Sequence, residues 1–438
     1  MTQAHTDTSR QIPPAANPHR LLAGWVETER TADFAAHERR YGPLPAYPGR
    51  AGRSRLIEAI NAAGLRGRGG AGFPTGRKLR AVATAGRGAV VVANGCDGDP
   101  ASDKDHALLD VAPHLVIDGA LLAAHAVGAS EIFLCVHRDD NLAQWLTRGL
   151  ADRPTGEPAV RVVQVPSRHV SSEASALVKF LNTGDARPTS KPPHTAERGV
   201  RGRPTLVDNV ETLAHIALIA RYGPRWFQEC GTADSPGTAL FTISGAVSSP
   251  GVYEAALGTQ MARVLRLAGE PVAPVQAVLV GGYGGTWLPL PIGADLRLDH
   301  AGLRAAGASL GVGALWVLPA AACGLAETAR VLRYLAGESA AQCGPCMFGL
   351  PAIVDDVESL ALGRRDAPQA LRRLRGRLPV ITGRGACGHP DGAVRLAASA
   401  LTTFEHDLGA HLAGRPCPRT RHSELPLPPW KLRTGAWS

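Results

Sequence analysis

Apolar residues recur at helical spacing over 54–63 (Leu56, Ile57, Ile60) and fill a short unbroken run over 89–93. The first pattern predicts an amphipathic helix, and the second a strand buried on both faces. A helix is also expected over 75–84. Beyond the run come a long apolar helix at 111–128, a strand at 131–137, a helix at 141–151 and a strand at 159–165. Such alternation predicts an α/β unit with a parallel, Rossmann-like sheet, helices on its faces and ligands at the strand ends. The stretch 111–128 carries His114, Asp118 and His125, so it reads as a buried helix and not as a membrane span.

The pattern changes after a Gly/Ser/Pro-rich linker at 231–237. Strands are expected at 239–247 and 251–256, joined across Ser248-Ser249-Pro250, then a helix at 260–268 and strands at 277–280 and 314–318. That set makes a small β-grasp unit of the SLBB type. From Cys323 onward Leu, Val and Ala recur at three- and four-residue spacing, over 326–335, 350–362, 368–377 and 393–412, which predicts a four-helix bundle. The expected division is an N-terminal arm (1–52), an α/β domain (53–230), a β-grasp domain (236–322), a helical domain (323–414) and a Pro-rich tail (415–438). The arm reads as loose apart from a short helix at 34–41. The tail reads as unattached, with Trp430 the one residue suited to dock.

Composition narrows the class. A chain of 438 residues, 45% hydrophobic, can build two to four domains with their own cores. Residues 1–10 are polar without an apolar core, and the eight cysteines are irregularly spaced, so no signal peptide and no disulfide framework are expected. The reading is cytoplasmic. The formal charge of +9 is spread along the chain; it suits an acidic partner such as an electron carrier, and no basic-aromatic pattern points to nucleic acid.

Two segments carry candidate chemistry. The loop from Gly64 to Lys78 is dense in glycine and holds Arg66, Arg68, Arg77, Lys78 and the ring of Phe73. Glycines free the backbone for positive φ and bring N–H groups close to a ligand, and the cations suit phosphate. Gly67 to Gly72 spells G-x-G-x-x-G, but it follows a predicted helix where the dinucleotide fingerprint follows a strand. Nucleotide or flavin contact is one reading, and a plain surface loop the other. The second segment is Cys343-Gly344-Pro345-Cys346, with Cys387 in a later glycine-rich turn and His389 two residues on. Three thiolates suit an iron–sulfur cluster, and the same set with His389 suits zinc; a redox dithiol or ordinary turn residues also fit the spacing. Cys96, Cys135, Cys230, Cys323 and Cys417 have no comparable spacing and read as buried or incidental thiols.

Taken together in order, these segments resemble the NADH-binding flavoprotein subunit of respiratory complex I and the matching subunits of NAD-linked hydrogenases and formate dehydrogenases. The resemblance rests on the glycine loop, residues 94–105, Ser172-Glu173-Ala174-Ser175-Ala176-Leu177, Lys191-Pro192-Pro193, the stretch 204–212 and Glu338 through Cys346. It covers about 53–414. It implies FMN, a 4Fe-4S cluster and NAD(H) as substrate, with electrons passing to a protein partner, either ferredoxin-like or a reductase, in an assembly that can sit at a membrane. By the same resemblance Gly64, Arg66, Gly67, Gly69, Gly70 and Lys78 would cradle phosphate, and Asn94, Asp97, Glu173, Asp208 and Asn209 would hold the flavin. Phe73, Asp99 and Lys191 would face the dinucleotide, and Cys343, Cys346 and Cys387 would be cluster ligands.

The departures cluster at the expected active site. The family's first cluster cysteine falls on Ala340 and its flavin-loop aspartate on Cys96. The Gly-Glu-Glu segment has Ser172 and Ala174; two adenine-sandwiching rings fall on Ala81 and His194, and a tyrosine on His169. Stacking worth about 1 kcal/mol per ring is lost with them. Two further readings therefore stay open beside the electron-transfer flavoprotein. One is a degenerate scaffold of the same fold without NADH oxidation. The other is a flavoprotein with structural zinc at Cys343, Cys346, Cys387 and His389. NADPH or a reduced protein are alternative donors.

Overall fold

The computed structural model of the chain describes residues 19–427 and 437, apart from Arg87, Asp139, Asp140 and His422. Short helices α1 (Ala23–Thr28) and α2 (Phe34–Tyr41) precede α3 (Gly49–Ala63), the glycine loop and α4 (Thr75–Ala85). Then comes a four-stranded parallel sheet of β1 (Val90–Asn94), β2 (Glu131–His137), β3 (Val160–Val165) and β4 (Thr205–Asn209), in the order β3-β2-β1-β4. Its helices are α5 (Lys104–Val111), α6 (Pro113–Val127), α7 (Leu142–Ala151), α8 (Ala174–Thr183) and α9 (Val210–Gln228). β1 pairs with β2 on one side and β4 on the other, and Asn94 and Asn209 are register partners at the strand ends. The strand order reverses there, which opens a crevice at the carboxyl ends of an open parallel sheet.

Sequence periodicity located three of these strands. The fourth, β4, was not expected. The long apolar helix expected at 111–128 is α6; α5, which ends at Val111, was not expected, and Pro113 separates the two by excluding helical backbone at Ala112 (φ −139°, ψ 50°). α6 is buried along nearly its whole length, as its apolar run implied. Its one acid, Asp118, accepts from His37 Nε2 at 2.8 Å and Arg153 at 2.6 Å and is also bound by Arg221. Burial works against that carboxylate's charge, but these three partners hold its pKa well below the usual range.

The expected loose arm is fastened down where the structure describes it. The buried carboxylate of Glu254 accepts the backbone N–H groups of Arg20, Leu21 and Leu22, and Leu21 and Tyr41 join the main core. The tail is likewise not unattached. Leu425 is buried, its N–H donates to Glu327, and the Tyr283 hydroxyl donates to Pro426 O. Trp437 O accepts from Ala186 N at 2.7 Å. Residues 1–18 and Trp430 lie outside the described residues.

The second sheet holds β5 (Thr238–Gly245), β6 (Gly251–Ala256), β7 (Val275–Val280), β8 (Thr286–Pro289) and β9 (Ala314–Pro319), in the order β6-β5-β9-β7-β8. With α10 (Met261–Leu265) it has the hairpin, helix and further strands expected; β8 and α11 (His300–Ala305) were not foreseen. The C-terminal region packs α12 (Gly324–Gly337), α13 (Leu350–Ala361), α14 (Ala367–Ile381), α15 (His389–Thr403) and α16 (Glu405–Leu412) around one apolar core. The last expected helix is thus two, broken at Phe404, whose buried ring lies 5.3 Å from that of Trp287.

His114, on α6 near Phe34 and His37, has a ring Nδ1 with no hydrogen-bond partner. Burial and, secondarily, Arg153 and His37 push its pKa down to about 4. The unfolded chain, with an imidazole near 6.5, therefore takes up a proton that the fold refuses. Stability from this position is complete above about pH 6.5 and is lost as the pH falls toward 4. His114→Leu should match wild type at pH 7.5 and exceed it by on the order of 1–2 kcal/mol at pH 5. Urea melts of both proteins across that range test this; parallel pH profiles would mean the ring is not held neutral.

Candidate functional site

The glycine loop is a folded element. Gly64 ends α3 with φ +71°, Gly67 N donates to Phe73 O at 2.9 Å, and Thr75 N donates to Leu65 O. That closure pushes Gly69, Gly70 and Ala71 out as a tip, and Gly70 forms an isolated bridge with Gly311, in the loop just ahead of β9. The tip forms one wall of a cavity of about 520 Å³, within the usual range of about 300–1,000 Å³ for cofactor sites. Asn94, Cys96, Asp97, Gly98 and Asp99 line it as well, with Glu173 and Asn209 from the helix starts and Gly281, Gly284 and Val312 from the second sheet's region. At the far end the lining passes to Cys387, Gly388 and His389. All three regions of the chain meet there.

Helix starts position most of the polar lining. Glu173 precedes α8 and accepts from Ser175 N and Ala176 N, while its Oε1 takes Lys191 Nζ at 3.0 Å. Asn209 caps α9 through Glu211 N, and its amide donates to Asp105 at 2.6 Å. Asn94 donates to Ser172 O at 2.8 Å. Asp97 accepts from Ser102 Oγ, Asp105 N and His106 N, which ties its carboxylate to the start of α5. Asp99 accepts from Ala101 N and Tyr283 N; burial raises its pKa to about 6. Lys104, wholly buried beneath the cavity, pairs with Asp105 at 2.5 Å and Glu211 at 2.9 Å. Burial opposes its charge, but Asp105, Glu211 and Asp97 outweigh it, so the amine stays protonated with its charge answered by these carboxylates.

Of the sequence candidates, Gly69, Gly70, Asn94, Asp97, Asp99, Glu173 and Asn209 share this cavity. Gly64, Arg66, Gly67, Phe73, Lys78, Lys191 and Asp208 do not line it. Arg66 turns back to Gly72 O, and Phe73 is exposed with Arg77 over its ring. Lys78 donates to Val207 O at 2.8 Å and Asp208 at 3.3 Å, so its charge is partly answered within the protein. Asp208 Oδ2 is buried without a hydrogen-bond partner.

The cysteines are brought close. Cys346 lies in a single π-helical turn, Pro345–Gly349, ahead of α13, and Met347 N donates to Cys343 O. Burial, then Cys343 beside it, push the Cys346 thiol up to about 12, offset in part by the Ser339 hydroxyl. Cys343 and Cys387 act on each other electrostatically, and burial raises the Cys387 thiol. Beside Cys387 the cavity is lined by two rings, His169 and His389, with centroids 5.2 Å apart. Burial lowers them to about 4 and about 3. His389 Nε2 bonds Leu335 O at 2.7 Å. Glu338 docks the cysteine segment onto the sheet domain by accepting from Arg168 Nε and His169 N.

The chain matches a family model described as the Nuo51 FMN-binding domain over residues 60–218, and one described as the NADH-ubiquinone oxidoreductase-F iron-sulfur binding region over 326–411. It is 30% identical to the NADH-quinone oxidoreductase F subunit of Streptomyces coelicolor over 92% of this chain and 94% of that one. The chain belongs to the F-subunit family of NADH-quinone oxidoreductases. The F subunit of Mycobacterium bovis is 31% identical over 83% of this chain and 86% of its own. A solved NAD+-reducing [NiFe]-hydrogenase, in its air-oxidized state, superposes with a TM-score of 0.79 at 31% identity, covering 90% of this chain and 67% of that chain.

The departures seen in the sequence are divided within this F-subunit fold, and Ala81, Ala174, His194 and Ala340 do not line the cavity. Cys96, Ser172 and His169 do line it, next to the retained Cys387. Gly98 is held tightly: a Cβ there would meet Ser172 Oγ at 2.3 Å and His169 O at 2.5 Å. Ala340 precedes Ala341, which has φ +50°, in the short segment between α12 and Cys343. Sequence reasoning missed Ser102, Lys104 and Asp105, although Asp103-Lys104-Asp105 just ahead of an apolar helix was a legible sign of a buried ion pair. It also missed Gly281, Gly284 and Val312, which reach the site only through the fold.

Proposed function

We propose that the chain is the electron-entry subunit of a larger oxidoreductase, taking electrons from NAD(P)H at FMN and delivering them through an iron–sulfur cluster to a partner protein. The observation that carries this reading is the continuity of one cavity from the glycine tip to Cys387. The residues present fit FMN: close-approach glycines at the tip, with Asn94, Glu173 and Asn209 as polar groups around the cavity. They fit a cluster as well, because Cys343, Cys346 and Cys387 converge while the buried thiols must shed protons to a metal. When bound, FMN accepts an electron pair as hydride and the cluster carries single electrons onward.

The chain's own residues have distinct tasks. Gly69, Gly70 and Ala71 offer backbone to the cofactor, and Asn94, Glu173 and Asn209 orient it. His169 and His389, neutral at physiological pH, line the cavity beside Cys387 without adding charge. His389 donates Nε2–H to Leu335 O, which leaves Nδ1 as the nitrogen able to ligate, so solvent, a partner's thiolate and His389 are the candidates for the fourth ligand at Ala340. The partner is an acceptor subunit of ferredoxin or reductase type, and such an assembly can lie at a membrane. No single helix among the described residues is long and apolar enough to cross one.

Anaerobic purification with FMN and iron quantified on the same sample is the test. Flavin bands bleached by NADH, with about four irons per chain, are expected. FMN that only NADPH or a reduced protein bleaches would replace the donor. A colourless chain after reconstitution would leave the scaffold reading. Ala340→Cys should slow the bleaching of the cluster in air, because four thiolates close the iron coordination. An unchanged rate would place Ala340 away from it.

A further inference from the structure

Away from the cavity, Cys323, His411 and Cys417 bring one ligand atom each within 4.8 Å of one another. Among the described residues no other His, Cys, Asp or Glu trio does so, and the set shares no member with Cys343, Cys346 and Cys387. Cys323 immediately precedes α12, His411 lies in the last turn of α16, and Cys417 follows in the tail. Cys323 and Cys417 also fall outside the matched family region at 326–411. We propose that these three side chains bind one transition-metal ion of the zinc class, with a fourth position left to water or a small ligand.

The geometry and tautomer suit an ion. His411 Nδ1 donates to Leu360 O at 3.1 Å, which places the proton on that nitrogen and leaves the Nε2 lone pair facing the thiols. A carbonyl behind the ring is the usual second partner of a metal-binding histidine. His411 Nε2 lies 3.3 Å from Cys417 Sγ. Ligands at about 2.0–2.1 Å (N) and about 2.3 Å (S) from a tetrahedral zinc stand at a comparable separation. The Cys417 amide, 3.0 Å from Nε2, aligns the ring, and an ion would take over that lone pair.

Hydrogen-bond donors and a cation stand ready for metal-bound thiolates. Cys323 Sγ receives the backbone N–H groups of Leu325 and Ala326 at the start of α12, and the Arg419 guanidinium lies against Cys417. Cys323 and His411 are fully buried and Cys417 is half-buried, so the ion would be largely shielded yet reachable from the tail side. Burial holds the free Cys323 thiol up near 12, and entry of the ion displaces its proton. The ion would pin the tail across both ends of the helical domain, beside the Arg419–Asp407 ion pair and the Arg419 bond to Ala320 O.

The full-length chain, purified anaerobically and stripped with a mild chelator, is titrated with Co²⁺, and zinc is measured on the untreated protein. About one zinc per chain, and a Co²⁺ complex with thiolate charge-transfer absorption and tetrahedral d–d bands, are expected. Cys343→Ser should lose iron and keep this Co²⁺ site. Cys417→Ser and His411→Gln should weaken Co²⁺ binding at least about tenfold, with FMN and iron unchanged and circular dichroism confirming the fold. Wild-type protein that takes up neither metal overturns the proposal whatever the variants do. So does Co²⁺ binding that follows Cys343 and ignores Cys417, or a Cys323–Cys417 disulfide found by peptide mapping of metal-free protein.

Discussion

Gly119→Ala is expected to destabilise the protein by about 3 kcal/mol or more and to lower its flavin content with it. Gly119 lies in the middle of α6, against α9. A Cβ there would lie 1.8 Å from Leu213 O and 2.3 Å from Leu213 C. Those are backbone atoms, so no side-chain rotation relieves the clash. The helices must separate instead, and the buried rows of α6 (Leu115, Leu122) and α9 (Leu213, Ile216) lose contact together. Overpacked cores commonly cost about 1–3 kcal/mol, and a clash with rigid backbone belongs at or above the top of that range. The flavin site feels the change because Asn209 caps α9 and faces Asn94 across the sheet. Guanidinium melts of the two proteins measure the first effect, and bound FMN per folded chain the second. A loss below about 1 kcal/mol would mean that α6 can slide past α9 without opening the core.

This contact shows what the sequence did and did not make legible. The sheet core was readable because Val90, Val91 and Val92 form an unbroken apolar run, which in a parallel sheet is the mark of burial on both faces. β4 was not, since five residues ending in Asp208 and Asn209 carry no period; their burial comes from packing beside β1. The break before Pro113 had a local cause and could have been read. The kink at Phe404 is tertiary, since that ring follows Trp287 and the face of Gly324. At the site, positions set by helix starts and by the glycine tip were within reach of motif reading. Lys104 and the wall of Gly281, Gly284 and Val312 depend on how distant segments meet. The same holds for Cys323 and Cys417, which lack any shared spacing and become neighbours only when the tail closes over α16.

Cys346→Ser should reduce iron from about four per chain to below about one, while FMN content and bleaching by the donor persist. Transfer to a one-electron protein acceptor should fall by roughly 100-fold or more. Cys346 is the most buried of the three converging thiols and sits in the π-helical turn that aims it at Cys343. By the family resemblance Ala340 replaces the first cluster cysteine, so the set would already lack one thiolate and a second loss would leave two, too few to hold a cubane. Serine keeps the volume and the contact with the Ser339 hydroxyl, so the fold should survive the exchange. Cys346 does not line the cavity, and the flavin-facing residues keep their hydrogen bonds. Iron content and flavin content therefore separate in this variant. Unchanged iron would remove Cys346 from the ligand set. Parallel loss of iron and FMN would mean that Cys387 and His389, which join the two sites, transmit the damage into the cavity.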